Sequence, residues 1–239
     1  MTRPVMLHPQ EHKDLRVIAE RGAAHGDDVM FCLTFPLEFR DVQAHYPIVF
    51  RRTADPAGYE ALALFGFEEG ENLFLGAGAG AGWDAGYVPL AIRRQPFLIG
   101  RHGGQLNVHV DLDHPRVSRT EGEVLFLQYG GTSEYLERAG EVLTAIHEGM
   151  QGLPAFVGAL AGHGLLEPFS VDIELRDGSQ HRLEGFETID EARLLALPGA
   201  ALERLNRAGH LQAIYMAMAS LTHLRDLIAR RERRHAARG

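Results

Sequence analysis

The sequence predicts an α+β fold, a mainly antiparallel sheet built from hairpins, packed with helices and followed by a helical C-terminal segment. Three observations predict it. Short runs rich in β-branched and aromatic residues, such as 28–35 (DVMFCLTF) and 46–51 (YPIVFR), are separated by turn residues. Residues 106–112 alternate, with Leu106, Val108, Val110 and Leu112 on one face and Asn107, His109 and Asp111 on the other. From residue 187 onward the apolar spacing turns helical, with caps. At 239 residues the chain is long enough for a substantial core. It is expected to form one domain over 1–239, with a mixed core at about 5–186 and a helical part at about 187–235.

In order, residues 9–20 read as a short amphipathic helix with Leu15, Ile18 and Ala19 on its apolar side. Residues 28–35 read as a strand holding Cys32 as a buried, inert thiol, because no basic neighbour or helix start is visible to lower its pKa. Residues 36–45 read as helical and 46–51 as a buried strand. The turn chemistry of ADPAG at 54–58 pairs that strand back with 59–67.

The run GAGAGAG at 76–82 satisfies G-x-G-x-x-A through Gly76, Gly78 and Ala81. That motif works only where a helix follows to face a pyrophosphate, and WDAGYVP is a poor helix start. A loop is expected. Beyond it lie a strand at 95–101, a Gly103-Gly104 turn, and the alternating strand. A helix spans 132–150, capped by Thr132 or Ser133, and a second helical segment covers 153–161. A hairpin at 170–186 turns on Asp177-Gly178. Thr188 with Glu191 forms a capping box for a helix at 189–196. A helix at 200–208 stops at Gly209, and the last runs from Leu211 through Ile214, Tyr215, Met218, Leu221, Leu224 and Ile228.

Composition excludes several functions. A formal charge of −8 opposes broad nucleic-acid binding, which needs a basic face. The basic run RRERRHAAR at 230–238 reads as a solvated helix end. Lys13 is the sole lysine, so no central Schiff-base or phosphate-loop lysine exists. One cysteine forms no intrachain disulfide and no cysteine-rich zinc site. No run reaches about eighteen uninterrupted apolar residues, and the N-terminal residues lack the apolar core of a signal peptide. The expectation is a soluble cytoplasmic protein without a membrane span.

The most specialised stretch is 83–97, WDAGYVPLAIRRQPF. Trp83, Tyr87, Arg93 and Arg94 are its candidate ligand-binding residues, since a planar guanidinium holds a carboxylate or phosphate bidentately. His109 and Asp111 form the first part of a facial triad for Fe(II), which needs another histidine, with His147, His163 and His181 as candidates. No cofactor is favoured, and Fe(II) is the alternative.

Several stretches together resemble the SapC family of bacterial proteins: YPIVF at 46–50, ALFGF at 63–67, ENLFL at 71–75, the W-x-x-x-Y-V-P-x-x-I-R-R-x-P-F stretch, the Asp111 strand, Leu125-Phe126, the DG hairpin with FETIDEARLLAL, and LQAIYMAMASL. The family is named after a surface-layer-associated protein, and many relatives look cytoplasmic. They accompany TonB-dependent receptors, flavin-dependent tryptophan halogenases and cupin-like proteins. The resemblance supplies no catalytic residues. Asp111 fits the family pattern whereas His109 does not, and Met216 and Met218 stand in a segment where many relatives carry a histidine. Two classes of function remain. The first is a non-enzymatic binding or accessory protein for a peptide, a nutrient-derived ligand or a partner protein. The second is an enzyme with a dispersed site, possibly resembling a non-haem iron oxygenase through His109 and Asp111. A homodimer through the C-terminal helix is an open expectation.

Overall fold

A computed structural model describes residues 3–54, 58–76, 82–102, 105–174 and 180–236. The strands are β1 (Pro4–Met6), β2 (Arg16–Val17), β3 (Phe31–Thr34), β4 (Ile48–Arg52), β5 (Tyr59–Leu64), β6 (Phe97–His102), β7 (Gln105–Asp111), β8 (Val117–Ser118), β9 (Glu123–Val124), β10 (Leu166–Glu174) and β11 (Gln180–Ile189). The helices are α1 (Phe39–Val42), α2 (Leu90–Arg93), α3 (Glu134–Gly162), α4 (Glu191–Leu195), α5 (Gly199–Arg207), α6 (His210–Ser220) and α7 (Leu224–Ala236). All strand pairings are antiparallel, so the α+β expectation holds.

The chain divides into two compact units. The first comprises Met1–Asp28, Leu75–Asp84 and Leu90–Glu148; the second comprises Val29–Phe74, Ala85–Pro89 and Gly149–Gly239.

The first unit holds two three-stranded sheets, ordered β1-β7-β6 and β8-β2-β9. Its core gathers Leu15, Val17, Phe97, Val110 and Leu125 against Leu136, Ala139 and Leu143 of α3. The helix expected at 9–20 is replaced by turns and β2. Leu15 and Val17 are buried with Arg16 between them, and Arg16 pairs on one side with Ser118 and on the other with Val124. A period of two, not 3.6, therefore buries these side chains.

The second unit is built on the sheet β10-β11-β4-β5-β3. Edge-to-face aromatic contacts fill its centre: Phe39 on Phe156 at 5.8 Å, and Tyr46 on Phe65 at 5.2 Å and on Phe74 at 4.7 Å. The β4–β5 and β10–β11 hairpins form as expected; the central turn residues 55–57, the Gly103-Gly104 turn, the Asp177-Gly178 turn and 77–81 of the glycine run lie outside the described residues.

The two helical segments expected at 132–150 and 153–161 are one helix of 29 residues that carries Pro154 inside it. Leu153, Phe156, Val157 and Leu160 continue the buried stripe of its first half, which overrides the proline's missing N–H. Gly164, at φ 60°, ends it: its N–H bonds the Ala161 carbonyl and that of Leu165 bonds the Leu160 carbonyl, a Schellman arrangement. Gly149 on α3 sits against the Phe35 ring, where a Cβ would come within 2.2 Å. Gly149→Ala is expected to lower unfolding free energy by about 1–3 kcal/mol, read as a lower urea midpoint at unchanged slope.

Three further expectations are corrected. The cap of α4 is Asp190, which accepts from the Arg193 N–H at 2.8 Å, because β11 extends through Thr188 and removes it from the cap position. The last helix breaks into α6 and α7 at a 3₁₀ turn, Leu221–His223. Ser220 explains the break: its buried Oγ donates to the Ala217 carbonyl at 2.6 Å and accepts from the Ile48 N–H at 2.8 Å. The face turned inward there is Ala213, Ile214, Ala217 and Ser220, while Tyr215 of the expected stripe is 50% exposed. The basic end is not wholly solvated either. Arg231 is buried and bonds Glu68 at 2.6 Å and Glu71 at 2.8 Å.

Burial pushes His45, His114 and His210 below the ordinary histidine value, with the charges of His223 and Arg116 adding at His45 and His114 respectively. The unfolded chain, with histidines near about 6.5, then takes up protons before the folded one. Stability is full above that value and falls as pH drops through it toward the lower folded values. Thermal midpoints are expected to fall from pH 7.5 to 5, and the slope to flatten in a triple His→Asn variant at 45, 114 and 210.

Candidate functional site

The sequence-predicted residues are divided between the two units. Trp83, Arg93 and Arg94 belong to the first unit and Tyr87 to the second. Tyr87 is fastened inside its own unit: its hydroxyl donates to the buried Glu38 carboxylate at 2.9 Å, and its carbonyl accepts from the Tyr46 hydroxyl. Trp83 makes a bridge with Leu75 at the ends of the glycine run. Arg94 bonds the Phe97 carbonyl at 2.8 Å.

Arg93 has different surroundings. The single turn of α2 buries Ile92 and leaves Arg93 exposed. There it lines a cavity of about 150 Å³ with Arg21, Gln95, Arg116, Tyr135 and Arg138, over an apolar side of Ala19, Ala139 and Val142. Four of the lining residues are arginines and none is a carboxylate.

Local structure explains this convergence. At the floor, the Ile18 N–H bonds the Arg116 carbonyl at 2.9 Å, where the chain enters β8 beside the end of β2. The Arg116 guanidinium then turns back on the same segment and donates to the Ile18 carbonyl at 2.7 Å and the Glu20 carbonyl at 2.6 Å. Its other arm meets Asp27 at 2.5 Å, with both side chains almost wholly buried. Asp27 is held by its own loop, accepting from the Gly22 N–H at 2.8 Å and from Arg21 at 3.3 Å. Arg21 also reaches the Ile92 carbonyl at 3.1 Å, which ties α2 to the wall. At the rim, Arg138 pairs with Glu134 one turn earlier on α3 at 2.7 Å.

The electrostatics follow from these positions. Burial lowers the Arg21 pKa from its ordinary value, the like charge of Arg116 lowers it further, and Asp27 acts in the opposite direction. Both guanidinium groups remain charged at neutral pH. Burial raises the Tyr135 pKa, so its phenol keeps its proton and is a donor. Two lining residues each carry a buried side-chain atom without a hydrogen-bond partner among the described residues: Arg116 Nε, a donor, and Gln95 Oε1, an acceptor.

The His109–Asp111 pair has a structural explanation. Asp111 is buried, and its Oδ1 accepts from the Arg3 N–H at 2.7 Å and the Asp113 N–H at 3.1 Å. Asp111 therefore does not stand on a solvated strand face. The His109 ring packs over Gly100, where a Cβ would come within 2.1 Å of it. Among the described residues, no group of three His, Cys, Asp or Glu side chains is placed to hold a metal ion. The His181 side chain is outside that description.

Residues 7–227 match the SapC family model. The chain belongs to the SapC family. No curated protein and no solved structure matches this SapC chain. Among its described residues, no helix is long and apolar enough to cross a membrane. Of the four ligand-binding candidates, Arg93 is the one that lines the cavity. Gln95 was passed over beside the arginine pair, and Arg21, Asp27, Arg116, Tyr135 and Arg138 were missed because they come from stretches distant in sequence from 83–97. The near-absence of lysine beside abundant arginine was the one available signal, and it gives no positions.

Proposed function

We propose that this SapC-family chain is a non-enzymatic binding or accessory protein that holds a small, nutrient-derived carboxylate in the arginine-lined cavity of its first unit. The observation that carries this reading is the lining itself: four arginines and no carboxylate. Asp27 and Glu134, outside the lining, offset part of that charge, and a bound carboxylate offsets the surplus, in surroundings where charge-assisted bonds are strong. The size supports a small ligand. At about 30 Å³ per water, the cavity of about 150 Å³ matches about five waters, well below the usual pocket for a drug-sized molecule.

Thermal-shift titration with acetate and propionate, checked against inorganic phosphate and chloride at equal ionic strength, tests this. Stabilisation that saturates with the carboxylates supports the reading, since a ligand of the folded state raises stability by mass action. Equal shifts with chloride contradict it. Carbon NMR of the recovered acid separates binding from catalysis: an unchanged acid fits a binding protein, and a converted one establishes an enzyme.

A further inference from the structure

The second unit holds a larger cavity, of about 450 Å³, at the place where its sheet opens. Strand β11 pairs with β10 from Ile189 to Phe186 and again from Leu183, but among the described residues it meets β4 at the single pair Glu187 and Phe50. A bulge accompanies this opening. Phe169 faces Phe186 and Val171 faces Leu183, so Ser170 alone stands opposite Glu184 and Gly185. An extra residue of this kind bends its strand and leaves backbone groups outside the ladder. Gly185 has φ 87°, and a Cβ there would meet nothing within 4 Å. The bulge therefore borders free space, the setting in which a strand glycine lets another backbone come close.

Neighbouring residues of a strand point to opposite faces. The cavity is lined by Arg51 with Arg52 on β4 and by Phe186 with Glu187 on β11, so it lies in the fork between these strands rather than over one face. We infer that this fork binds an extended, uncharged peptide segment, which adds a strand along β11. Two features define the occupant. The first is the strand edge: beyond Glu187, β11 has β10 on one side and the cavity on the other, and the outward N–H and C=O groups of such an edge pair with a further strand. The second is the side-chain lining. Phe186 is buried and Phe169 half-buried, and they offer an apolar surface to a side chain of the peptide. The three arginines of this lining are each paired: Arg51 with Glu60, Arg52 with Glu187 at 2.6 Å and Arg182 with Glu184 at 3.2 Å. No surplus charge recruits an anion here, unlike in the cavity of the first unit.

The probe is acetyl-Thr-Val-Thr-Val-Thr-amide, titrated into the isotope-labelled full chain and followed by its amide NMR shifts. Saturable shifts are expected at Ser170, Glu184 and Gly185. A strand bonds one neighbour through alternate residues. Of two versions of the probe, N-methylated at the odd or at the even amides and unchanged in side chains, one is therefore expected to bind about tenfold or more weakly. In Phe169→Ala, whose fold circular dichroism and the thermal midpoint verify, the unmethylated probe is expected to bind about fivefold or more weakly. Equal binding of all three peptides overturns strand addition, and unchanged affinity in the folded variant, or shifts confined to other residues, overturns the placement in the fork. No binding overturns the inference as a whole. The probe carries no charge, so these outcomes are independent of the carboxylate reading.

Discussion

Replacing Asp27 with Ala is expected to cost about 3–5 kcal/mol of stability, because it leaves Arg116 charged, buried and without its counter-ion. The size follows from placement rather than from the number of bonds. The Asp27 and Arg116 side chains are 0% and 1% exposed, so water cannot replace the lost partner. Asp27 also holds the Gly22 N–H and Arg21, so the loop between residues 22 and 27 loosens together with the cavity floor. Arg116→Met is expected to be milder, since Asp27 keeps Arg21 and the Gly22 N–H. The double variant separates the pair from its surroundings: it should be less destabilised than the sum of the single variants. Urea unfolding measures all three. Additive losses would show that the pair is not coupled.

The second large effect concerns binding and should leave the fold intact. Arg93 and Arg138 stand at the rim, Arg93 exposed and Arg138 with a side chain 55% exposed. Removing both by Arg93→Ala and Arg138→Ala therefore costs little stability. Each charge-assisted bond to a carboxylate contributes about 1.5–3 kcal/mol, so the double variant is expected to bind propionate about a hundredfold or more weakly. Arg93→Lys should recover only part of the loss, because an ammonium does not copy a planar fork. Arg94→Ala is the informative control. Its guanidinium bonds the Phe97 carbonyl, so its effect should fall on stability and not on affinity. Unchanged affinity in the rim variant, measured by calorimetry, would mean that these arginines do not contact the ligand.

These expectations show what the sequence made legible. Local signals carried several elements: the alternation at 106–112 became β7, the runs on either side of 54–58 pair as β4 and β5, and Gly209, at φ 75°, stands between α5 and α6. Errors arose where long-range burial overrode a local cue. Val17 belongs to a strand, with Leu15 just before it, because Arg16 has pairing partners more than 100 residues away at Ser118 and Val124. The helix expected to divide between 150 and 153 is continuous, because the buried stripe from Leu153 to Leu160 carries it on through Pro154. Ser220 broke a helix that apolar spacing presented as continuous, through a bond to Ile48 that no spacing reveals.

The site was legible to a similar degree. The stretch 83–97 drew attention to adjacent arginines; it contributes Arg93 and Gln95 to the cavity and uses Arg94 and Tyr87 for bonds to carbonyl and carboxylate groups elsewhere. The rest of the lining comes from residues 19–21, 116 and 135–142, which meet only after the first unit folds. His109 and Asp111 were adjacent on a strand face as expected. Among the described residues no third ligand joins them, and Asp111 Oδ1 accepts from two backbone N–H groups.

The central claim is that the arginine cavity is a carboxylate site, and a crystal structure of the chain soaked in propionate tests it most directly. The account predicts one carboxylate inside the cavity, with an oxygen within about 3.2 Å of a guanidinium nitrogen of Arg93 or Arg138. Propionate scattered over surface arginines, with the cavity holding only water, would contradict it.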